Sequence, residues 1–377
     1  MKTVLETATQ AGALPATMKA WVLDGPHQLR LTEKPVPEPG PAEVLVRVHA
    51  VALCGSDLEV VASGSPAMIE GGLPFGKNWT PGHEYMGTVA KLGPRVDEYR
   101  VGERIAVEVH AGCGRCERCR MGMYTSCHNY GMNYGEHNKG HRANGFTTDG
   151  GFAEFAVNHL NTLVRVPEQM SDEEATLIVT GGTAMYVIDT LGGLVAGASV
   201  VVIGGGPVGL MCVGFAKALG AEPVILVEMQ ESRLKLGLRL GADHAIDAAR
   251  ENAVAAVKRL TGGKGAHYVI ECSGADVLNQ ALDMVNRGGS ICLAAFSHQP
   301  VMIDAVKLAS NNISLYGIRG EGRSAVRRAA SLMKQRRFQA GLIHTHTFPL
   351  EELPTALKYA REKIEDAIKV VVRIRAQ

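Results

Sequence analysis

The chain has 377 residues, of which 46% are apolar and 20% charged, with a formal net charge of +1. That is enough for two domains at roughly 150 residues each, and too apolar for a disordered chain. Near-neutral charge argues against nucleic acid and against an anionic membrane surface as partners, and no apolar run reaches the roughly 18 residues of a membrane span. Met1 to Thr17 holds one Lys, one Glu and no apolar core, so it reads as a short extension and not as a secretory signal. The 44 glycines have no triplet period, which excludes collagen, and no internal repeat or low-complexity tract is present.

Residues 18 to about 165 predict short strands joined by turns. Met18–Leu23, Glu43–Val51, Met86–Leu92, Arg104–Glu108 and Phe152–Val157 are β-rich and often alternate. Pro35, Pro37, Pro39 and Pro41 with Gly40 mark a turn region. This half is mostly antiparallel β. The texture changes at Ser171–Glu174, an N-cap signature before a long apolar stretch to Leu191. Strand and helix then alternate from Ser199–Ile203 to Ser290–Ala295, which means a parallel sheet with helices on both faces. From about Ile313 come a strand (Ser314–Tyr316), two helices (Ser324–Arg336 and Pro354–Arg361) and a last strand (Lys369–Ile374). This end is a candidate to complete the first domain's sheet and make that domain discontinuous.

The strand Val200–Ile203 runs into Gly204-Gly205-Gly206-Pro207-Val208-Gly209 and then a helix. A glycine motif in that context cradles a pyrophosphate. Gly204 permits the tight turn, Gly206 lets the backbone approach the phosphates, and Gly209 lets helix and strand pack closely. The helix N-terminus faces the anion, and Pro207 suits a first helical position. Glu228 ends the next strand, about twenty residues on, where an acid accepts from ribose hydroxyls and repels a 2′-phosphate. The bland alternative is a Gly-rich turn beside a surface Glu.

Eight cysteines are present, and four of them crowd between positions 113 and 127. Clustered cysteines suggest metal in a reducing compartment, hence the cytoplasm. Cys113, Cys116, Cys119 and Cys127 suit a closed, structural zinc site. An iron–sulfur centre fits these spacings poorly, and an unmetallated loop is the remaining alternative. Arg115, Arg118 and Arg120 interleave the thiols and would offset their charge. A second candidate is Cys54 with His83 and Glu84: a thiolate, an imidazole and a carboxylate suit zinc and leave one position open. Asp57 is placed to fix the His83 tautomer, and Ser56 to pass a proton. Singly, Cys54 reads as a core thiol and His83 as a satisfied histidine; together they favour metal.

These residues resemble the zinc-dependent alcohol dehydrogenase branch of the medium-chain dehydrogenase/reductase superfamily. The match runs in order from Met18 to Arg375 and includes Gly82-His83-Glu84-Tyr85-Met86-Gly87, Val101-Gly102-Glu103-Arg104-Ile105 and Gly150-Gly151-Phe152-Ala153-Glu154. The chain looks nearest to the threonine, sorbitol and butanediol dehydrogenases. The resemblance implies an α/β protein with a GroES-like catalytic domain (18–168 and 316–377, zinc lobe about 110–130) and a Rossmann domain (169–315). It implies Cys54, His83 and Glu84 as catalytic-zinc ligands and the four lobe cysteines as structural-zinc ligands, two zincs per chain. It also implies Ser56 as the relay hydroxyl, Glu228 as the ribose acid and Arg233 as its basic neighbour, with NAD as cofactor. A homotetramer, or a homodimer, is expected.

The helix after Ser171 is where many members place a further metal ligand; alignment puts Val179 there, which cannot bind metal. Glu59 falls where some members have a relay histidine. The loop from Cys127 to Gly150, with His128, His137, His141, Asn129, Asn133, Asn138 and Asn144, reads equally as a roof contacting a polar substrate and as a solvated loop. The expected activity is NAD-dependent oxidation of a secondary alcohol to a ketone. The rival readings are a zinc-free reductase of an activated double bond and a non-catalytic protein on the same fold.

Overall fold

A computed structural model describes residues 14–64, 78–129, 142–193, 195–297 and 299–374. The first part of the chain forms β1 (Thr17–Leu23), β2 (Leu29–Pro35), β3 (Glu43–Ala52), α1 (Gly55–Ser63), β4 (Glu84–Leu92), β5 (Arg104–Val107), α2 (Glu117–Arg120), β6 (Phe155–His159) and β7 (Leu163–Arg165). A long helix follows, α3 (Asp172–Thr190). Then come β8 (Val200–Ile203), α4 (Pro207–Ala218), β9 (Val224–Glu228), α5 (Glu231–Leu240), β10 (His244–Asp247), α6 (Ala253–Leu260), β11 (Ala266–Glu271), α7 (Leu278–Met284), β12 (Val285–Leu293), α8 (Ala305–Ser310) and β13 (Ser314–Gly317). The chain ends with α9 (Ala325–Lys334), β14 (His344–Pro349), α10 (Leu353–Glu362) and β15 (Lys369–Arg373).

Two main sheets result. Strands β10-β9-β8-β11-β12-β13 pair in parallel, as the strand–helix alternation predicts. Val200, Val201 and Val202 in β8 are fully buried, the continuous apolar run of a sheet covered on both faces. Each such side chain contributes roughly 1.5–3 kcal/mol. The other sheet runs β14-β15-β3-β4-β5-β7, with β6 also on β3, and is antiparallel except for β14 on β15. β15 pairs with β3 (Val371 opposite Ala52), so the chain's end does complete the first sheet.

Several local expectations shift. β2 lies where only a proline-rich turn was expected to follow; it is a half-exposed strand paired with β1, so its apolar alternation is weak. The strand expected from Phe152 begins at Phe155, because Phe152 and Ala153 pair with Trp21 and Ala20 of β1, and pairing with β3 starts only at Phe155. β14 and α1 had no periodic signal in so short a span. β13 pairs Tyr316 and Gly317 with Cys292 and Leu293, so the parallel sheet crosses the border expected at 316; the strand stops only at its glycine.

α3 joins the two halves. Ser171 Oγ accepts from Glu174 N (3.1 Å), the N-cap that the sequence predicts. One side of α3 packs on β3, β4 and β5, the other on α4 and α9, which explains why it is apolar nearly all round. Its first-turn acids suit a helix N-terminus, and each meets an arginine from another element: Asp172 with Arg104, Glu173 with Arg373 and Glu174 with Arg336.

Candidate active site

Strand register builds the first candidate metal centre. Ala52 lies opposite Glu84 in the β3–β4 pair, so Cys54, two residues beyond the pair, meets His83 and Glu84 at the head of β4. One ligand atom from each of Cys54, His83 and Glu84 lies within 4.8 Å of the others. Cys54 caps α1, and Asp57 in the first turn accepts from the Cys54 amide through Oδ2 (2.8 Å). Its other oxygen, Oδ1, stands 3.1 Å from His83 Nδ1. That contact turns Nε2 inward, where Ser56 Oγ lies at 3.3 Å. Burial alone would keep the His83 ring neutral, but Asp57 and the Cys54 sulfur outweigh it and raise its pKa well above the usual range. The donor set of sulfur, nitrogen and oxygen fits zinc.

Glu84 is held from two sides. Thr180 Oγ1 donates to its Oε2 (3.3 Å), and the buried Lys369 ammonium pairs with the same oxygen. Leu53 N donates to Val370 O (2.8 Å), which sets Lys369 beside the centre. Thr180, one residue beyond Val179, is therefore the α3 residue that meets the site, and it reaches it through a ligand. Val179 packs instead into an apolar cluster with Val60, Trp79, Val109 and Phe146. The Phe146 ring lies 4.6 Å from that of His83 and walls the centre on this side.

The second centre is the cysteine lobe around α2. The Sγ atoms of Cys113, Cys116, Cys119 and Cys127 lie within 4.8 Å of one another, with Cys113–Cys119 and Cys116–Cys127 both at 3.9 Å. A tetrahedron with bonds of 2.3 Å has edges of about 3.8 Å, which these two separations match. Amides point at them: Cys116 N at Cys113 Sγ (3.4 Å), Asn129 N at Cys127 Sγ (3.3 Å) and Asn129 Nδ2 at Cys113 Sγ (3.1 Å). Burial would raise the Cys113 thiol, but donors from Arg115, Asn129 and Cys116 prevail and bring it down to about 6. Of the polar loop that follows, Asn129 thus serves the lobe, and Asn144 is buried with Nδ2 on Glu108 O (3.1 Å). His137, His141, Asn133 and Asn138 lie outside the described residues.

The glycine-rich turn lies between β8 and the N-terminus of α4. Gly204 has φ 97°, and a Cβ on Gly209 would stand 1.9 Å from Gly204 O, so both positions require glycine. A Cβ on Gly206 would meet nothing within 4 Å, which leaves open space at the helix N-terminus, with Pro207 in its first turn. Val208 packs inward on the core. Glu228 Oε2 accepts from Gly205 N (2.7 Å), Oε1 accepts from Met229 N (2.6 Å) and Gln230 N (3.1 Å), and Arg233 Nη1 lies 3.9 Å away. The acid is therefore fixed beside Gly205, at the lip of the glycine-rich turn.

The comparisons agree with this arrangement. Residues 40–168 match the alcohol dehydrogenase GroES-like domain, and residues 207–335 match the zinc-binding dehydrogenase domain. Sorbitol dehydrogenase of Bacillus subtilis is 30% identical over 95% of this chain and 98% of its own. The chain belongs to the zinc-dependent alcohol dehydrogenase family. It is thus an oxidoreductase acting on CH–OH donors. L-threonine 3-dehydrogenase of Pyrococcus horikoshii is 36% identical over 77% of this chain and 79% of its own. A zinc-binding dehydrogenase of Sinorhizobium meliloti solved with NADP has a TM-score of 0.84 at 26% identity, covering 96% of this chain and all of that one. Among the described residues no helix is long and apolar enough to cross a membrane.

Two residues that contact Glu84 were not singled out from the sequence: Lys369 and Thr180. The only sequence signal for Lys369 is a cation heading an otherwise apolar strand. Thiolate and carboxylate alone would neutralise a divalent cation, and the opposite charges of Lys369 on Glu84 and Asp57 on His83 offset one another.

Proposed function

We propose that the chain is an NAD-dependent secondary-alcohol dehydrogenase with one catalytic and one structural zinc. Its substrate class is a polyol, vicinal diol, cyclic secondary alcohol or hydroxy-acid derivative. The observation that carries this reading is the convergence of Cys54, His83 and Glu84 beside the Ser56 hydroxyl. Cys54, His83 and Glu84 would hold the zinc, which would supply Lewis acidity, and the Gly204–Gly209 turn would hold a nicotinamide dinucleotide as hydride acceptor. Asp57 holds His83 in register, Ser56 carries a proton from the substrate hydroxyl, and Phe146 with its apolar neighbours keeps water out. The relatives named for sorbitol and threonine support a secondary carbinol in a polar molecule.

The test is NAD reduction across such alcohols at alkaline pH, with NADH formation on at least one as the expected result. NADH consumption on an activated double bond, with no alcohol oxidised, would assign the chain to the reductases.

For the cofactor, Glu228 supports NAD over NADP, because a 2′-phosphate would meet its carboxylate. Specificity constants for the two cofactors are expected to differ by at least about tenfold, the effect of one charge contact near 1.4 kcal/mol. Glu228→Ala narrows that gap. Equal use of both by the unaltered protein would remove Glu228 from the ribose site.

The same proposal includes a cytoplasmic homotetramer, or a homodimer. Phe296, Met302 and Val306 are exposed apolar side chains in the segment between β12 and β13, and β13 is a free edge of the parallel sheet; both features support self-association. Light scattering tests it, and a monomer would refute it.

A further inference from the structure

One acid in the interior has no use in the scheme above. Glu321, between β13 and α9, is 2% exposed, and its Oε2 has no hydrogen-bond partner among the described residues. It sits against α3: a Cβ on Gly182 would stand 3.1 Å from Glu321 Cγ, and Thr183 holds the carboxyl from the same helix. Thr183 is three residues past Thr180, the residue bonded to Glu84, and so lies on the same face of α3; the carboxyl it holds is therefore on the metal-centre side and feels His83 and Glu84. On its other side a Cβ at Gly320 would lie 3.6 Å from the His110 ring and 3.3 Å from Thr125.

A second buried acid lies there. Glu108, at the end of β5, is 7% exposed and receives the Tyr124 hydroxyl on Oε1. It faces a cavity of about 280 Å³ beneath the cysteine lobe, which His110, Tyr124, Arg323 and Arg327 also line. Burial raises both carboxyls, Glu321 to about 7, and the charge of Glu321 raises Glu108 further against the opposing pull of Arg327. Two buried carboxyls that raise one another disfavour ionising together, which suits a pair that passes a proton.

We propose that Glu321 and Glu108 form a second proton exit, leading from the metal centre to the cavity under the cysteine lobe, in parallel with Ser56. The proposal rests on the dehydrogenase reading. In the forward reaction the substrate O–H bond breaks, the proton joins Glu321 through intervening water, and Glu108 releases a proton to solvent in the cavity. The hydride leaves separately to the nicotinamide, so charge and atoms balance. Glu59, where some relatives have a relay histidine, sits exposed on α1.

The test compares alcohol oxidation by the zinc-loaded enzyme, Ser56→Ala, Glu321→Gln and the double variant, as a function of pH and in deuterated water. Two parallel exits predict a modest loss for either single change and a loss of about 100-fold for the double. In Ser56→Ala, oxidation should fall as pH drops through about 7, because a protonated Glu321 accepts nothing; Glu321→Gln removes that limb and Glu321→Asp restores it. Glu108→Gln in the Ser56→Ala background should act as Glu321→Gln does. Zinc content and melting temperature are measured on each variant. If Ser56→Ala and the double variant share one rate and one pH profile, or if the loss merely follows zinc, the exit does not exist. An unaltered protein that oxidises no alcohol would instead refute the dehydrogenase reading itself.

Discussion

Replacing Cys116 with serine is expected to lower the melting temperature by several degrees to more than ten, and to loosen subunit association. Direct effects on chemistry should be minor by comparison. The reason is the lobe's composition. No residue of α2 is buried, so burial of apolar surface cannot hold this segment together. What holds it includes four convergent sulfurs, tethers such as Tyr124 on Glu108 and Arg323 N on Gly122 O (2.8 Å), and the metal the sulfurs would close upon. Losing a structural metal belongs to the large class of stability effects, roughly 4 kcal/mol. At about 2–4 °C per kcal/mol for a domain of this size, the shift is ~8–16 °C. Calorimetry, metal analysis and light scattering on the same sample decide the matter. A variant that has lost zinc yet melts and associates as before would show that the lobe has no structural role.

The parts legible in the sequence are those in which one short segment carries its own physics. The run Val200–Ile203 followed by three glycines can hardly be anything but a strand meeting a phosphate cradle, and the structure places Gly204, Gly209 and Glu228 accordingly. Four cysteines in one loop announce a metal by spacing alone. The Cys54 centre was legible in its ligands, because β3 and β4 are clear strands and their pairing brings the two motifs together. What surrounds those ligands was not. Lys369 arrives from the far end of the chain through the β15–β3 register, and Glu321 through a segment with no periodicity. Thr180 was missed by one position, and on a helix one position is a turn of about 100°, enough to exchange a site residue for a core residue. Long-range partners of this kind are fixed by topology, which no local pattern encodes.

Cys54→Ser is expected to abolish turnover while the fold persists, and mild chelation of the unaltered protein should do the same. The argument compares the two centres. The lobe offers four thiolates and a closed shell. The other site offers one thiolate, one imidazole and one carboxylate, and Glu84 is shared with Lys369 and Thr180. A carboxylate with an ammonium already beside it gives up a metal more readily than a thiolate does. Fresh protein should therefore carry two zincs per chain and fall to one under a mild chelator, with activity lost in step with the first. Lewis acidity contributes several kcal/mol to the reaction, so ~4 kcal/mol corresponds to about a thousandfold loss in rate. Glu84→Ala should shorten the half-life of the labile zinc under the same chelator. The lobe keeps its metal throughout, so the melting temperature should change little. Metal analysis beside activity checks the order of events, and full activity in protein that retains only the lobe zinc would assign the reaction to a metal-free mechanism.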